Sequence, residues 1–219
     1  MVHITTTTIV YRYRSLVRFD WVADIFLNNR FYASKYSELN DPMEGYFDSL
    51  PGTNKGLLEE IAKGKDQWRI LCFSKKHNDV LLWDRYADGF KGICIKVVIE
   101  PCGADVVLEV NYDDFPLIFR NEHAEWTNAW SQICFQEKAK PWKREKEIRI
   151  LSKNDYVGGP LPIKIAAVYF GPRIDPRHKN MLCRIISPNV ECFDTHISGK
   201  TNKVVLGKRH LRHGKPVPR

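Results

Sequence analysis

The chain predicts an α+β fold. Three observations carry that prediction: β-branched and aromatic runs recur along most of its length, the helical stretches between them are few and short, and strand and helix do not alternate regularly as in a doubly wound sheet. No Gly-x-Gly-x-x-Gly turn follows a strand, and no Gly-x-x-x-x-Gly-Lys-Ser/Thr loop is present, so neither a Rossmann nucleotide site nor a P-loop is supported. With 219 residues there is length for one sizeable core and little for two.

Ile9 to Arg14 reads as the first strand, with Arg12 and Arg14 on one face and Tyr11 and Tyr13 on the other. Leu16 to Leu27 has a helical stripe of Val17, Trp21 and Ile25, closed by Asn28-Asn29, and Arg30 to Ser34 is a second short strand. Ser37 to Gly45 is a polar loop in which Asn40-Asp41-Pro42 marks a turn. After an exposed segment around Gly52 to Gly56, Leu57 to Lys65 reads as a helix and Trp68 to Ser74 as a third strand. Lys75 to Asp79 is a loop, and Val80 to Ala87 is a helical turn with Trp83 and Tyr86 three apart on one side. Asp88-Gly89 then leads into Gly92 to Ile99, the strongest strand pattern in the chain. Val106 to Tyr112 is another strand, and Asp114 to Gln136 is aromatic-rich and partly helical. Ile163 to Phe170 is a strand closed by Gly171-Pro172, Arg177 to Ile186 a short helix, and Val190 to Phe193 the last strand expected.

No apolar run approaches the roughly 20 residues needed to cross a bilayer, and the charged fraction of 27% is that of a soluble globular protein, so no membrane is expected as a partner. The first residues lack the basic and apolar regions of a secretory signal, which makes the cytoplasm the expected compartment. Cys72, Cys94, Cys102, Cys134, Cys183 and Cys192 are scattered, mostly in apolar surroundings, as reduced buried thiols are. There is no Cys-x-x-Cys and no His-Glu-x-x-His, and Cys183, Cys192 and His196 make only a partial set, so no metal is expected. The net charge is +8, but Lys200, Lys203, Lys208, Arg209, Arg212, Lys215 and Arg219 supply seven of those charges after the last acidic residue, Asp194. The expectation is a nearly neutral domain over 1–199 and a basic, disordered tail over 200–219 capable of non-specific contact with phosphate backbones.

The strip Lys138 to Ile150 holds the most unusual chemistry. Read as a strand near its end, it puts Glu145, Glu147 and Arg149 on one face and Ile148 and Ile150 on the other. Like charges two apart on a strand face cost free energy unless a cation, proton or ligand compensates. Two readings follow: a solvated face on which Arg149 neutralises one glutamate, or a functional site. In the Asn40 to Glu44 loop the carboxylates suit a cation or a ribose, while an Asx-turn fixed by Pro42 explains the same residues structurally. His77 and His123 read as surface or loop histidines.

Five pieces form an ordered set: Tyr11-x-Tyr13-Arg14-Ser15, Leu39-Asn40-Asp41-Pro42-x-Glu44, Leu71-Cys72-Phe73-Ser74, Trp83-x-x-Tyr86-Ala87-x-Gly89-x-Lys91-Gly92-Ile93, and Lys138-x-x-x-Trp142-x-x-Glu145-x-Glu147-x-Arg149. Over about Ile9 to Phe170 this set resembles the bacterial and phage-associated family catalogued as domain of unknown function 2971. More distantly, the layout is similar to the ADP-ribosyltransferase fold, which has an early strand with an Arg or His that holds NAD, a middle strand ending in Ser or Thr before a helix with aromatics, and a late strand with a Glu. That resemblance implies a single domain with a curved or split mixed sheet flanked by short helices. It implies NAD as substrate, Glu147 or Glu145 as catalytic carboxylates, and NAD contacts from Arg14 or Arg12, Ser74, Trp83, Tyr86, Asn40 and Asp41. In this reading an Arg clamps the pyrophosphate, aromatics stack on nicotinamide, and the late Glu stabilises the oxocarbenium-like centre. The protein would be a transferase or NAD glycohydrolase, as in a bacterial toxin or phage-defence effector, with protein, nucleic acid or water as acceptor.

Two other classes compete. A metal-dependent nuclease would use Asp41, Glu44, Glu145 and Glu147, but the chain has no Glu-x-Lys, and Glu147-Ile-Arg149 is the nearest approach. A non-enzymatic nucleic-acid-binding module would rely on the basic tail and on Trp126, Trp130 and Trp142 for stacking.

Overall fold

Capped short helices and β-branched strands follow one another irregularly, as the residue pattern predicts. The structure, a computed structural model, describes residues 6–100, 106–112, 116–120, 127–158 and 163–210. His123, Trp126, Cys102, Asp114, Arg212, Lys215 and Arg219 lie outside the described residues. The elements in order are β1 (Thr8–Arg14), α1 (Phe19–Asn28), β2 (Arg30–Tyr32), β3 (Phe47–Ser49), α2 (Lys55–Asp66), β4 (Arg69–Ser74), α3 (Val80–Tyr86), β5 (Ile93–Ile99) and β6 (Val106–Glu109). There follow β7 (Leu117–Phe119), α4 (Thr127–Ile133), β8 (Glu147–Ser152), β9 (Tyr156–Gly158), β10 (Ile163–Phe170), α5 (Pro176–Ile185), β11 (Glu191–Ser198) and β12 (Lys203–His210). The fold is α+β, and its strands pair mostly antiparallel. Among the described residues no helix is long and apolar enough to cross a membrane.

The chain groups into two compact units, one of Met1–Thr6, Phe31–Phe73 and Glu100–Val157, the other of Thr7–Arg30, Ser74–Ile99 and Gly158–Arg219. In the first, β4, β8 and β6 are neighbours, and β6 runs antiparallel to β8 from Val106 opposite Leu151 to Glu109 opposite Ile148. Trp68, Ile70, Leu108, Phe135 and Leu151 pack together there. A second cluster joins Ile61 of α2, Phe119 of β7, Trp130 of α4 and Cys134. Asn54 caps α2 by accepting from the Gly56 amide at 2.8 Å, which satisfies one of the donors a helix start leaves open.

In the second unit the strand order is β12-β11-β10-β5-β1. The apolar β5 lies between β1 and β10, antiparallel to both, and β10 is joined through α5 to β11, its parallel neighbour. Tyr13, Cys94 and Tyr169 share one face of this sheet and pack with Leu82, Trp83 and Ala87. Asp79 caps α3 through the Leu81 amide, and Asp175 caps α5 through the Arg177 amide, with Pro176 at the first helical position. Gly171 is required where β10 ends: its amide donates to the Gly92 carbonyl at 3.0 Å, and a Cβ there would overlap the Phe90 carbonyl.

Several expectations need correction. The first helix starts at Phe19 rather than Leu16 because the Ser15 hydroxyl accepts from the Val17 amide and holds a turn. Its buried stripe is Val22 and Ile25, while Val17 and Trp21 are 77% and 47% exposed and Trp21 lies under the Arg18 guanidinium. The three-residue strands β3, β7 and β9 are too short to register as alternation. The chain after 200 is not all tail: Lys203–His210 forms β12, paired with β11 through a turn in which Asn202 is left-handed (φ 48). Val204 is buried and its amide donates to the Asn78 carbonyl. Lys203, Lys208 and Arg209 hide this strand from a composition-based reading, and basic side chains are how outer strands are commonly guarded against further pairing.

Candidate functional site

The strip after Lys138 does not fold as one strand. Pro141 opens a 3-10 turn over Lys140–Glu145, and Lys146 takes a left-handed conformation (φ 47) before β8 begins at Glu147. Glu145 therefore precedes the strand instead of sharing its face. Every residue of β8 is buried, so the solvated-face reading does not hold. Arg149 is fully buried, and all five of its N–H groups are used. Nε donates to Glu147 Oε1 at 2.9 Å, and Nη2 donates to Glu147 Oε2 at 3.2 Å and to Glu44 Oε2 at 2.9 Å. Nη1 donates to Glu44 Oε1 and to the Phe135 carbonyl.

Lys138 extends this network. Its side chain is 5% exposed, and its ammonium donates to Glu145 Oε2 at 2.9 Å and Glu147 Oε2 at 3.0 Å and sits 4.6 Å over the Trp142 ring. The backbone amide of Glu147 donates to the Tyr112 hydroxyl at 2.9 Å. Burial alone pushes the Glu147 carboxyl up, but Arg149 and Lys138 outweigh it and hold its pKa at about 2. Burial works against the Lys138 charge, and Glu147 more than restores it, raising its pKa. Three carboxylates thus meet two cations in one buried cluster. Such a cluster fixes the direction of its members, which is what a carboxylate used for electrostatic or proton-transfer work requires.

The loop that delivers Glu44 explains two other predicted residues. Asp41 is 6% exposed, its Oδ1 accepts from the Met43 amide at 3.0 Å, and its carbonyl accepts from the Glu44 amide at 3.1 Å. Asp41-Pro42-Met43 is thus an Asx-turn that aims Glu44 at Arg149. Lys138 has no role in the sequence reading, and Glu44 enters it only as a cation, ribose or nuclease carboxylate, not as the partner of Arg149. The quoted motifs contain both, but a contact across 105 positions of chain has no local signal.

In the second unit, Arg12 and Arg14 point to the face of β1 opposite that of Tyr11 and Tyr13, as alternation requires. Arg14 is half-buried and pairs with no carboxylate among the described residues. Burial, and then the charge of Arg12, lowers its pKa to about 10. Ser74 lies opposite Tyr11, is 6% exposed, and its hydroxyl accepts from the Lys76 amide at 3.0 Å. Ser74 thus does not share a face with Arg12 and Arg14. Trp83 is fully buried, meets Tyr13 edge-on at 5.5 Å, and donates its indole N–H to the His77 carbonyl at 2.8 Å. That is a correction: Trp83 is core and presents no face on which nicotinamide can stack. Tyr86 is half-buried against the same cluster with Arg85 near its ring.

Among the described residues no group of three or more His, Cys, Asp or Glu side chains is arranged to hold a metal ion. Glu44 and Glu147 are directed at Arg149, and Glu145 and Glu147 at Lys138. The chain matches no family model, no curated protein and no solved structure.

Proposed function

We propose that the protein is an NAD-consuming enzyme of ADP-ribosyltransferase type, passing ADP-ribose to a macromolecular acceptor or to water. The observation that carries this reading is the pair of late carboxylates gathered on Lys138, one locked and one nearer the surface. Both Glu147 oxygens are taken by Arg149 and Lys138, which makes Glu147 a positioning residue that fixes the Lys138 ammonium. Glu145, with its side chain 12% exposed against 6% for Glu147, is the group assigned to the reacting sugar. In the reaction the bond from ribose C1′ to the nicotinamide nitrogen breaks, and its electron pair leaves with nicotinamide. A bond forms from C1′ to the acceptor oxygen or nitrogen, whose proton passes to Glu145.

In the second unit, Arg14 fits the anion contact that the resemblance implies. A half-buried guanidinium with no carboxylate partner among the described residues suits bidentate capture of a pyrophosphate. Along the chain the order is that of the resemblance, with Arg14 on β1, Ser74 closing β4 and Glu147 opening β8, although Ser74 and Arg14 lie on opposite faces. The test is incubation of the protein with labelled NAD and cell extract, with Arg14→Gln and Glu147→Ala variants alongside. Label transfer or nicotinamide release by the wild type, lowered in both variants, is expected. Absence of both from folded wild-type protein overturns the proposal.

A further inference from the structure

The second unit carries another polar constellation on the face of β1 opposite Arg14. Tyr11 stands opposite Ser74 on β4 and Lys96 on β5, and Lys96 stands opposite Ala167 on β10. Residues paired across neighbouring strands project to the same face, so Tyr11 and Lys96 are side by side, with Tyr169 on that face two residues beyond Ala167. The loop after β4 brings His77 over them. Its ring centroid lies 5.0 Å from that of Tyr11 and 5.4 Å from that of Tyr169, and the two phenol rings are 6.2 Å apart.

The loop is fastened on three sides. The Trp83 indole donates to the His77 carbonyl at 2.8 Å, the Tyr13 hydroxyl donates to the Lys76 carbonyl at 2.8 Å, and the Val204 amide donates to the Asn78 carbonyl at 3.0 Å. The three rings are therefore held in place. Their polar ends are a different matter: the hydroxyls of Tyr11 and Tyr169 and the ammonium of Lys96 hydrogen-bond to no protein group among the described residues, while the His77 ring bonds to its own backbone. Tyr169 as a whole is 4% exposed. Glu191, which stands opposite Ala167 on the far side, is paired with Arg209 at 2.6 Å.

We infer that Tyr11, His77, Lys96 and Tyr169 form a binding site for a phosphate-bearing ligand. Two phenol hydroxyls and one ammonium supply more donors than acceptors and a single positive charge, and the His77 ring packs against both phenols. A tetrahedral phosphate offers several acceptor oxygens to such a set, whereas a planar carboxylate offers two. Burial first, and then Lys96, lowers the His77 pKa, and burial raises those of both phenols. The site stands apart from the NAD reading, because it shares no residue with Arg14, Glu145 or Glu147.

The test is NMR of the histidine and tyrosine ring protons of the full chain during titration with inorganic phosphate at fixed ionic strength, with acetate as the second arm. Saturable shifts of the His77 and Tyr11 rings are expected with phosphate and none with acetate. Lys96→Met should weaken phosphate binding about tenfold or more, the usual consequence of losing a charged hydrogen bond. Tyr11→Phe, which keeps the ring packing, should weaken it several-fold. Shifts that never saturate, an equal response to acetate, or undiminished binding by folded Lys96→Met overturn the inference. Phosphate binding without any turnover of NAD leaves the inference standing and removes the enzymatic proposal.

Discussion

Replacing Arg149 by methionine tests whether the buried cluster is an obligatory ion network. Lys138 continues to face Glu147 in this variant, but Glu44, with its side chain 3% exposed, loses the guanidinium that bonds to both its oxygens. Glu44 must then remain charged and buried or take up a proton. Protonating a carboxyl of ordinary pKa 4.5 at pH 7 costs about 3.4 kcal/mol, at about 1.36 kcal/mol per pH unit. This lies within the roughly 3–5 kcal/mol lost when one partner of a buried pair is removed. Urea unfolding at pH 7 followed by tryptophan fluorescence should show a loss of that size. The pH dependence distinguishes it from a packing defect. The folded variant holds an extra proton, so its stability falls as pH rises, and lowering pH from 7 to 5 should narrow the deficit by about 2–3 kcal/mol. In the wild type, Glu147, lowered to about 2, contributes stability that is present above its ordinary 4.5 and is lost as pH falls from there toward 2. A deficit below about 1 kcal/mol at pH 7, or one that does not change between pH 7 and pH 5, refutes the reasoning.

Other perturbations probe the surrounding structure. Trp83→Ala should destabilise by about 3–5 kcal/mol in the same urea assay, as expected for emptying a fully buried site; a near-neutral result would contradict its assignment to the core. Gly171→Ala should cost about 1–3 kcal/mol, because the added methyl meets the Phe90 carbonyl, and unchanged stability would show that the β10 end can give way. Iodoacetamide mapping of the native protein by mass spectrometry should modify half-buried Cys183 before Cys94 and Cys134. Burial raises the pKa of both of these thiols, that of Cys134 to about 12, and equal labelling of all three would count against that enclosure.

Alternation on β1 was legible because its periodicity is local: Arg12 and Arg14 on one face and Tyr11 and Tyr13 on the other follow from a period of two. Glu145 was misplaced for a local reason of another kind, the left-handed Lys146, since nothing in Glu-Lys-Glu announces a positive φ at a lysine. The burial of Arg149 was not legible at all. It depends on Glu44, supplied by a turn 105 positions earlier, and on Lys138, whose ammonium reads as surface charge until its partners are known. β12 was missed because Lys208 and Arg209 outweigh Val204, Val205 and Leu206 in any compositional reading. His77 looked idle in sequence, and only the register of β1, β5 and β10 brings Tyr11, Lys96 and Tyr169 around it.

The most direct measurement is the rate of nicotinamide release from NAD by wild type, Glu145→Gln and Glu147→Gln, with folding of each checked by circular dichroism. Transfer of ADP-ribose with Glu145 as the reacting carboxylate predicts measurable release by the wild type and a fall of about 100-fold or more in Glu145→Gln, the scale of a lost acid-base group. Glu147→Gln should fall less, with a weakened hold on Lys138. No release by folded wild type, or full activity in Glu145→Gln, would contradict the account.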